Sequence, residues 1–196
     1  MQFNTDEFNQ LIRMRRSIFP ADYNGENVDD AIVQQMLENA NWAPSHRFTE
    51  PWRFLIYTRE GLKKLGEIQS TVYKNVTEKD GTFSEKKYLN LRDKPLSASH
   101  VIVVAMRRNA ERSVPEIEEI SAVACAVQNL YLTATAYGVA CYWGTGGITY
   151  FEESKTAFGL EKEDKLMGFF YIGVPKKWPK PTKRGDITDK IEWIIN

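Results

Sequence analysis

The clearest periodic signal in the chain is Ile32, Val33, Met36, Leu37 and Ala40, which recur at helical spacing and predict an amphipathic helix. Asn27 or Asp29 suits its start, and Ala43-Pro44-Ser45 its end. Upstream, Phe8, Leu11 and Ile12 keep the same period behind Thr5, a capping residue, with Asp6 and Glu7 favouring the positive helix end. That helix is expected to run into Arg15-Arg16-Ser17 and to stop near Phe19-Pro20, because a residue before proline resists the α region. Leu62, Leu65, Ile68 and Val72 predict a third helix. Ile117 to Tyr137 predicts the longest, with Pro115 near its start and Gly138 just past its end. It is rich in small residues (Ser121, Ala122, Ala124, Cys125, Ala126, Ala134, Ala136), which suit close approach in a core or at a dimer seam. Phe151 to Phe158 suggests a short helix.

Strand signals alternate with these helices. Trp52 to Thr58 is introduced by Pro51, and Val101 to Met106 is a continuous apolar run that suits a central, buried strand. Val139 to Trp143 and Lys165 to Val174 complete the set. Thr77 to Pro95 is polar and charged and reads as an irregular or helical surface excursion. After Pro175 the chain is rich in proline and lysine, and Ile187 to Ile195 suggests a late strand pairing with a distant edge or a second subunit. Helices and strands intermix without strict βαβ order, so the expected class is α+β, as one domain over residues 1–196.

Composition narrows the function. The 196 residues carry 26 basic and 26 acidic side chains and are 42% hydrophobic, which excludes disorder and argues against nucleic acid as a partner. Such a length builds a core without disulfides. Cys125 and Cys141 each lie in an apolar stretch and are expected to be buried. With His46 and His100 the only histidines and no CxxC motif, a metal site is not expected. The first ten residues are polar and acidic, so no signal peptide is expected; nor is any membrane span, and the cytoplasm is the expected location.

Several stretches could carry chemistry. Arg13, Arg15, Arg16 and Ser17 gather at a helix C-terminus; by themselves they read as a solvated basic turn, or else as a phosphate clamp of arginine forks and a hydroxyl. Lys176, Lys177, Lys180, Lys183 and Arg184, interleaved with Trp178, Pro179 and Pro181, read as a solvated loop; a phosphate would be the natural ligand if the two clusters met. The loop holding Trp42, Pro44, His46, Pro51 and Trp52 is at once rigid, aromatic and polar, as ligand loops often are. Trp143-Gly144-Thr145-Gly146-Gly147 is either a plain turn or a place where backbone N–H groups approach a ligand. It lacks the spacing of a Rossmann or P-loop motif, and no hydrolase elbow is present.

Taken together, these stretches resemble the FMN-dependent nitroreductase family, in particular its compact branch. The resemblance runs from about Leu11 to Ile187. It rests on Arg15-Arg16-Ser17-Ile18, on Ala43-Pro44-Ser45-His46 with Pro51-Trp52-Arg53-Phe54, on Ala122 to Leu130 with Leu132, Ala134, Ala136 and Gly138, and on Gly168 to Gly173 with Pro175. It implies a homodimer with a central, mostly antiparallel sheet flanked by helices and FMN held between subunits. Arg15, Arg16 and Ser17 are then the phosphate and ribityl clamp, and Arg184 a late basic residue reaching the same phosphate. Trp42 and His46 sit on the loop that the partner subunit offers to the flavin. Trp143, Gly144 and Thr145 run beside the flavin ring.

Two departures stand out. Phe19 stands where many members have Arg or Lys, and Phe48 and Glu50 where many have Asn and Gln; His46 or Arg47 is the candidate to replace that Asn at the flavin pyrimidine. The implied chemistry is hydride transfer from NAD(P)H through flavin N5 to nitroaromatic, quinone or similar acceptors. No side chain is required as catalytic acid or base, and Arg16 is the candidate stabiliser of the reduced flavin. The Thr77 to Pro95 excursion is a candidate cap on the substrate side. Rival readings are another reductive reaction on the same fold (dehalogenation or flavin breakdown), a flavin-binding protein without catalysis, or a basic-tailed interaction module.

Overall fold

In a computed structural model, residues 2–180 and 182–195 are described; Met1, Pro181 of the basic tail and Asn196 lie outside them. Four strands form one sheet in the order β1-β2-β4-β3: β1 (Trp52–Thr58), β2 (His100–Met106), β3 (Ala140–Gly144) and β4 (Lys165–Gly173). Every pairing is antiparallel. β2 and β4, the longest apolar runs, take the two inner positions because a strand between two others has both faces covered. The expected α+β class and mostly antiparallel sheet are what the structure shows.

Alternation along the strands divides the core in two. Ile102, Val104, Met106, Cys141, Phe170 and Ile172 face α2 (Asp30–Asn41) and α5 (Glu116–Ala136). Val101, Val103, Ala105, Ala140, Phe169 and Tyr171 face α3 (Glu60–Thr77), with α4 (Glu85–Asp93) beyond it. The small residues Ala122, Ala126 and Ala134 of α5 are buried, as a close-packed central helix requires. α2 locks onto it through Asn39 Nδ2 donating to Thr133 Oγ1 at 2.9 Å and Asn129 Nδ2 donating to the Asn39 carbonyl at 3.0 Å. The short α6 (Glu152–Ala157) leads into β4. Among the described residues, no helix is long and apolar enough to cross a membrane.

Four expectations are corrected. α1 (Thr5–Met14) is capped by Asn4, whose side chain accepts the Asp6 and Glu7 N–H groups, so Thr5 is its first residue and not its cap. It ends at Met14, before Arg15 and Arg16, because Ser17 is drawn into a parallel bridge with Cys141 and Ile18 N–H donates to the Cys141 carbonyl at 2.9 Å. Cys125 lies on the exposed side of α5, although Cys141 is buried as expected. Within this chain Ile187 to Ile195 is not a strand: one short 3-10 turn, Thr188–Lys190, interrupts exposed chain.

β4 bulges opposite Val104 and Ala105, whose partners are Gly168 and Leu166, so Met167 has no partner on β2. The bulge frees the Met167 carbonyl to accept the Trp143 indole N–H at 3.0 Å. Gly168 sits at φ +121, and a Cβ there would stand 2.5 Å from the Gly144 carbonyl oxygen. No side chain fits between β4 and the end of β3 at this point.

Candidate functional site

The end of α1 delivers Arg15, Arg16 and Ser17 to the free edge of β3. Ser17 Oγ lies 3.2 Å from Tyr131 Oη on α5, and Tyr131 Oη accepts the Trp143 backbone N–H at 2.7 Å. Burial pushes the Tyr131 phenol above its usual range, partly offset by those hydrogen bonds, so it stays neutral. Tyr131 Oη thus ties the Trp143 backbone to Ser17, whose hydroxyl lies at the surface within reach of a ligand. The Arg15 guanidinium lies 5.1 Å from the Tyr131 ring centre, a cation–π contact that positions it without neutralising it. Arg16 turns back: its Nη1 donates to the Arg13 carbonyl at 2.6 Å and the Arg15 carbonyl at 2.7 Å, and its buried Nε has no partner among the described residues. Among the described residues, no carboxylate pairs with Arg13, Arg15 or Arg16.

The structure thus brings Arg15, Ser17 and Trp143 together and places Gly144 and Thr145 next along the same edge. Thr145 and Trp143 line a cavity of about 460 Å³ with Ile120 and Met167. On the other side, Gly144, Gly146 and Gly147 line a cavity of about 150 Å³ with Tyr142, Tyr171, Lys94 and Gln69. Two observations there point to a polar ligand. Gln69 Nε2 is buried without a hydrogen-bond partner among the described residues. Lys94 Nζ sits 4.8 Å from the Tyr142 ring centre and 4.6 Å from that of Tyr171, with no carboxylate partner among the described residues, and burial lowers its pKa. Tyr171 is itself pushed up to about 12 by burial and so offers Lys94 no charge. Phe19, at the position where the resemblance implies a cation, packs on the same Tyr142 ring, with centroids 4.5 Å apart and the planes tilted by 36°. A cation therefore stands beside Tyr142 after all, supplied by Lys94 from a distant part of the chain.

His46 is not brought to this edge within one chain. Trp42 is 86% exposed. His46 Nδ1 lies 2.5 Å from Glu118 Oε2, in the first turn of α5. Glu118 and Tyr131 are 13 residues apart on that helix, about 20 Å at 1.5 Å per residue. Glu118 also faces away from Ile120, since residues two apart on a helix do not share a face. Three residues of the same loop, Arg47, Phe48 and Glu50, hold positive φ (54, 53 and 41), a conformation costly for residues other than glycine. Arg184 is exposed and makes no hydrogen bond or ion pair among the described residues, but its tail begins beside the clamp: Trp178 Nε1 donates to the Met14 carbonyl at 3.1 Å.

Two residues of the site carry little signal in the sequence. Tyr131 is one more position of a long helix, distinguished there by no more than a hydroxyl among small residues. Lys94 was hidden in a segment with many lysines, where nothing local distinguishes the buried one.

A family model described as the nitroreductase family matches residues 12–174. A protein of Bacillus subtilis (strain 168) named "Putative NAD(P)H nitroreductase YfhC" is 31% identical over 181 residues, 92% of this chain and 90% of that one. A nitroreductase-like family protein from Bacillus cereus, solved by crystallography, has a TM-score of 0.83 at 30% identity, covering 100% of both chains. A chain from Desulfovibrio desulfuricans crystallised in complex with FMN shares the fold, with a TM-score of 0.72 at 24% identity over 100% of both chains. By sequence and by fold, this chain belongs to the nitroreductase family.

Proposed function

We propose that this protein holds FMN along the β3 edge and passes reducing equivalents from NAD(P)H to nitroaromatic, quinone or similar acceptors, in the cytoplasm. The observation that carries the reading is the group of guanidinium charges at Arg13, Arg15 and Arg16, uncompensated by any carboxylate among the described residues and set beside the Ser17 hydroxyl. Arginine and a hydroxyl donor fit a phosphate. The orphaned Gln69 amide and the unpaired Lys94 fit the polar end of a flavin. The FMN complex of a protein with this fold and the name of the Bacillus subtilis relative support the same reading.

Bound FMN supplies the hydride carrier, through its N5. The protein's own contribution is placement and charge. Arg15 and Ser17 hold the phosphate, with Arg184 brought in by the tail that starts at Trp178. Trp143, Gly144 and Thr145 border the ring, where the small glycine lets backbone N–H groups come close. Lys94, held over two neutral tyrosine rings, stabilises negative charge at the site; Arg16, engaged with two backbone carbonyls, keeps its Nε as a remaining donor.

The active unit is a homodimer. His46, held on Glu118, lies about 20 Å along α5 from the clamp of its own chain. It and the exposed Trp42 of the same loop therefore serve the clamp of a second copy. Trp42, Phe48 (88% exposed) and Ile117 (65%), together with Trp193 (80%) and Ile194 (86%) of the tail, supply the apolar surface that such a contact covers. The strained loop at Arg47 to Glu50 is held ready for it.

FMN titration of the purified protein tests this reading. The expected product is a yellow 1:1 complex per chain that NADH or NADPH bleaches without oxygen and a nitroaromatic or quinone restores. Protein that takes up no FMN overturns the proposal; FMN bound but unreduced by either nucleotide leaves a flavin-binding protein.

A further inference from the structure

The α4 excursion carries, at Lys86 and Lys87, charge that the proposed flavin site does not use. A cleft of about 760 Å³ runs along α4, walled on its far side by Phe19, Pro20 and Ala21. It adjoins the small cavity at the glycine turn, since Lys87, Asn90 and Lys94 line both. Its charge is one-sided. Lys86, Lys87 and Lys94 face it, and among the described residues none of the three has a carboxylate partner. Asp93 also lines the cleft, but Arg92 neutralises it through hydrogen bonds of 2.7 and 3.1 Å.

The cations are also positioned. Lys87 Nζ lies 5.0 Å from the Tyr73 ring centre, as Lys94 does over Tyr142 and Tyr171, so aromatic faces hold two of them without cancelling their charge. Ser84, whose hydroxyl makes no capping hydrogen bond, and Asn90 add neutral donors to the same walls. Unpaired cations lining a concave, low-dielectric wall focus their field on an approaching anion.

We propose that this cleft is the subsite for the anionic oxygen group of a reactant, either the phosphates of the dinucleotide reductant or a carboxylate on the acceptor, which it directs toward the Gly144–Gly147 turn. The proposal rests on the flavin reading of that turn. It makes α4 a specificity element, with Lys86 and Lys87 as its charge-selecting residues.

The test compares the FMN-loaded wild type with Lys86→Glu and with the Lys86→Glu/Lys87→Glu double variant. Lys86 lines only the outer cleft, so the single variant remains informative if the double variant holds FMN poorly. Binding of NADP+ and of 4-nitrobenzoate is measured by calorimetry, which needs no turnover. KM is measured for NADPH, NADH, 4-nitrobenzoate and neutral nitrobenzene. The expected result is a rise of about tenfold in Kd and KM for the charged reactant, with kcat and the nitrobenzene KM within about twofold. A rise for the nucleotides assigns the subsite to phosphate, and a rise for 4-nitrobenzoate alone assigns it to the acceptor's carboxylate. Unchanged values for every charged reactant, or an equal rise for nitrobenzene, overturn the proposal. Calorimetry applies equally to flavin-free protein, so failure of the cleft is distinguishable from failure of the flavin reading.

Discussion

At the foot of β2 every polar group is answered. Ser99 Oγ accepts the Val28 N–H at 2.8 Å and sits 2.9 Å from His100 Nδ1; His100 Nε2 lies 3.0 Å from Asp30, which in turn pairs with Arg59 at 2.8 Å. At the top of the same strand the buried Glu119 closes on Arg108 and accepts the Asn109 N–H at 2.9 Å. Along the β3 edge and α4 the reverse holds: Arg13, Arg15, Arg16, Lys86, Lys87 and Lys94 have no carboxylate partner among the described residues. A buried charge that lacks a partner is costly, so the paired regions are scaffold. Charges steadied by aromatic rings and backbone carbonyls, yet left uncompensated, are poised for a ligand.

That contrast breaks most severely at Glu119. Glu119→Ala leaves the Arg108 guanidinium and the Asn109 N–H without their partner, and is expected to cost about 3–5 kcal/mol of stability. Urea unfolding with FMN absent measures it; a loss below about 1 kcal/mol would show that the pair is not structural. Arg15→Ala is the counterpart on the ligand side. It should weaken FMN binding by about 2–3 kcal/mol, roughly 30- to 150-fold, while apoprotein stability moves by less than about 1 kcal/mol. Equal losses in both measurements would erase the distinction between the regions.

Lys94→Met sharpens the comparison further. Without the cation, the midpoint potential of bound FMN should fall by about 30 mV, which for a two-electron couple is about 1.4 kcal/mol. Stability should hold or rise, since a half-buried charge is removed. Potentiometry on the variant and on Lys94→Arg, which restores the charge, separates electrostatics from packing.

The smallest effect concerns acid. The Arg59 hydrogen bond, then that of His100, holds the Asp30 carboxyl below its ordinary range. A depressed folded-state pKa stabilises the fold above the unfolded value and is lost as pH falls through the folded one. Asp30 therefore contributes to the acid limb below about pH 4, and Asp30→Asn should flatten that limb slightly. Urea midpoints from pH 2 to 6 for both proteins measure the difference, and parallel profiles would remove Asp30 from the linkage.

Local pattern made much of the fold legible. A continuous apolar run marks Val101 to Met106 as a central strand, and it and the predicted strand Lys165 to Val174 occupy the sheet's centre. Arg15 to Ser17 stood out because charge and hydroxyl crowd into three residues. Cys125 was misjudged because a helix rich in alanine carries no sharp polar stripe to say which side faces water. The Ile187 to Ile195 segment is apolar enough for a strand, but a strand forms only where an edge is offered, and within one chain none takes it.

By itself, then, the sequence determined the elements, the two inner strands, the arginine clamp and the family resemblance, since each is written in neighbouring residues or in a short period. Tertiary structure decided which charges meet partners. Lys94 and Tyr142 are 48 positions apart in the chain, as are Ser17 and Tyr131 at 114, and only folding brings them within a few ångströms. Whether a lysine is scaffold, surface or ligand contact depends on what surrounds it in space, and local pattern holds no record of that.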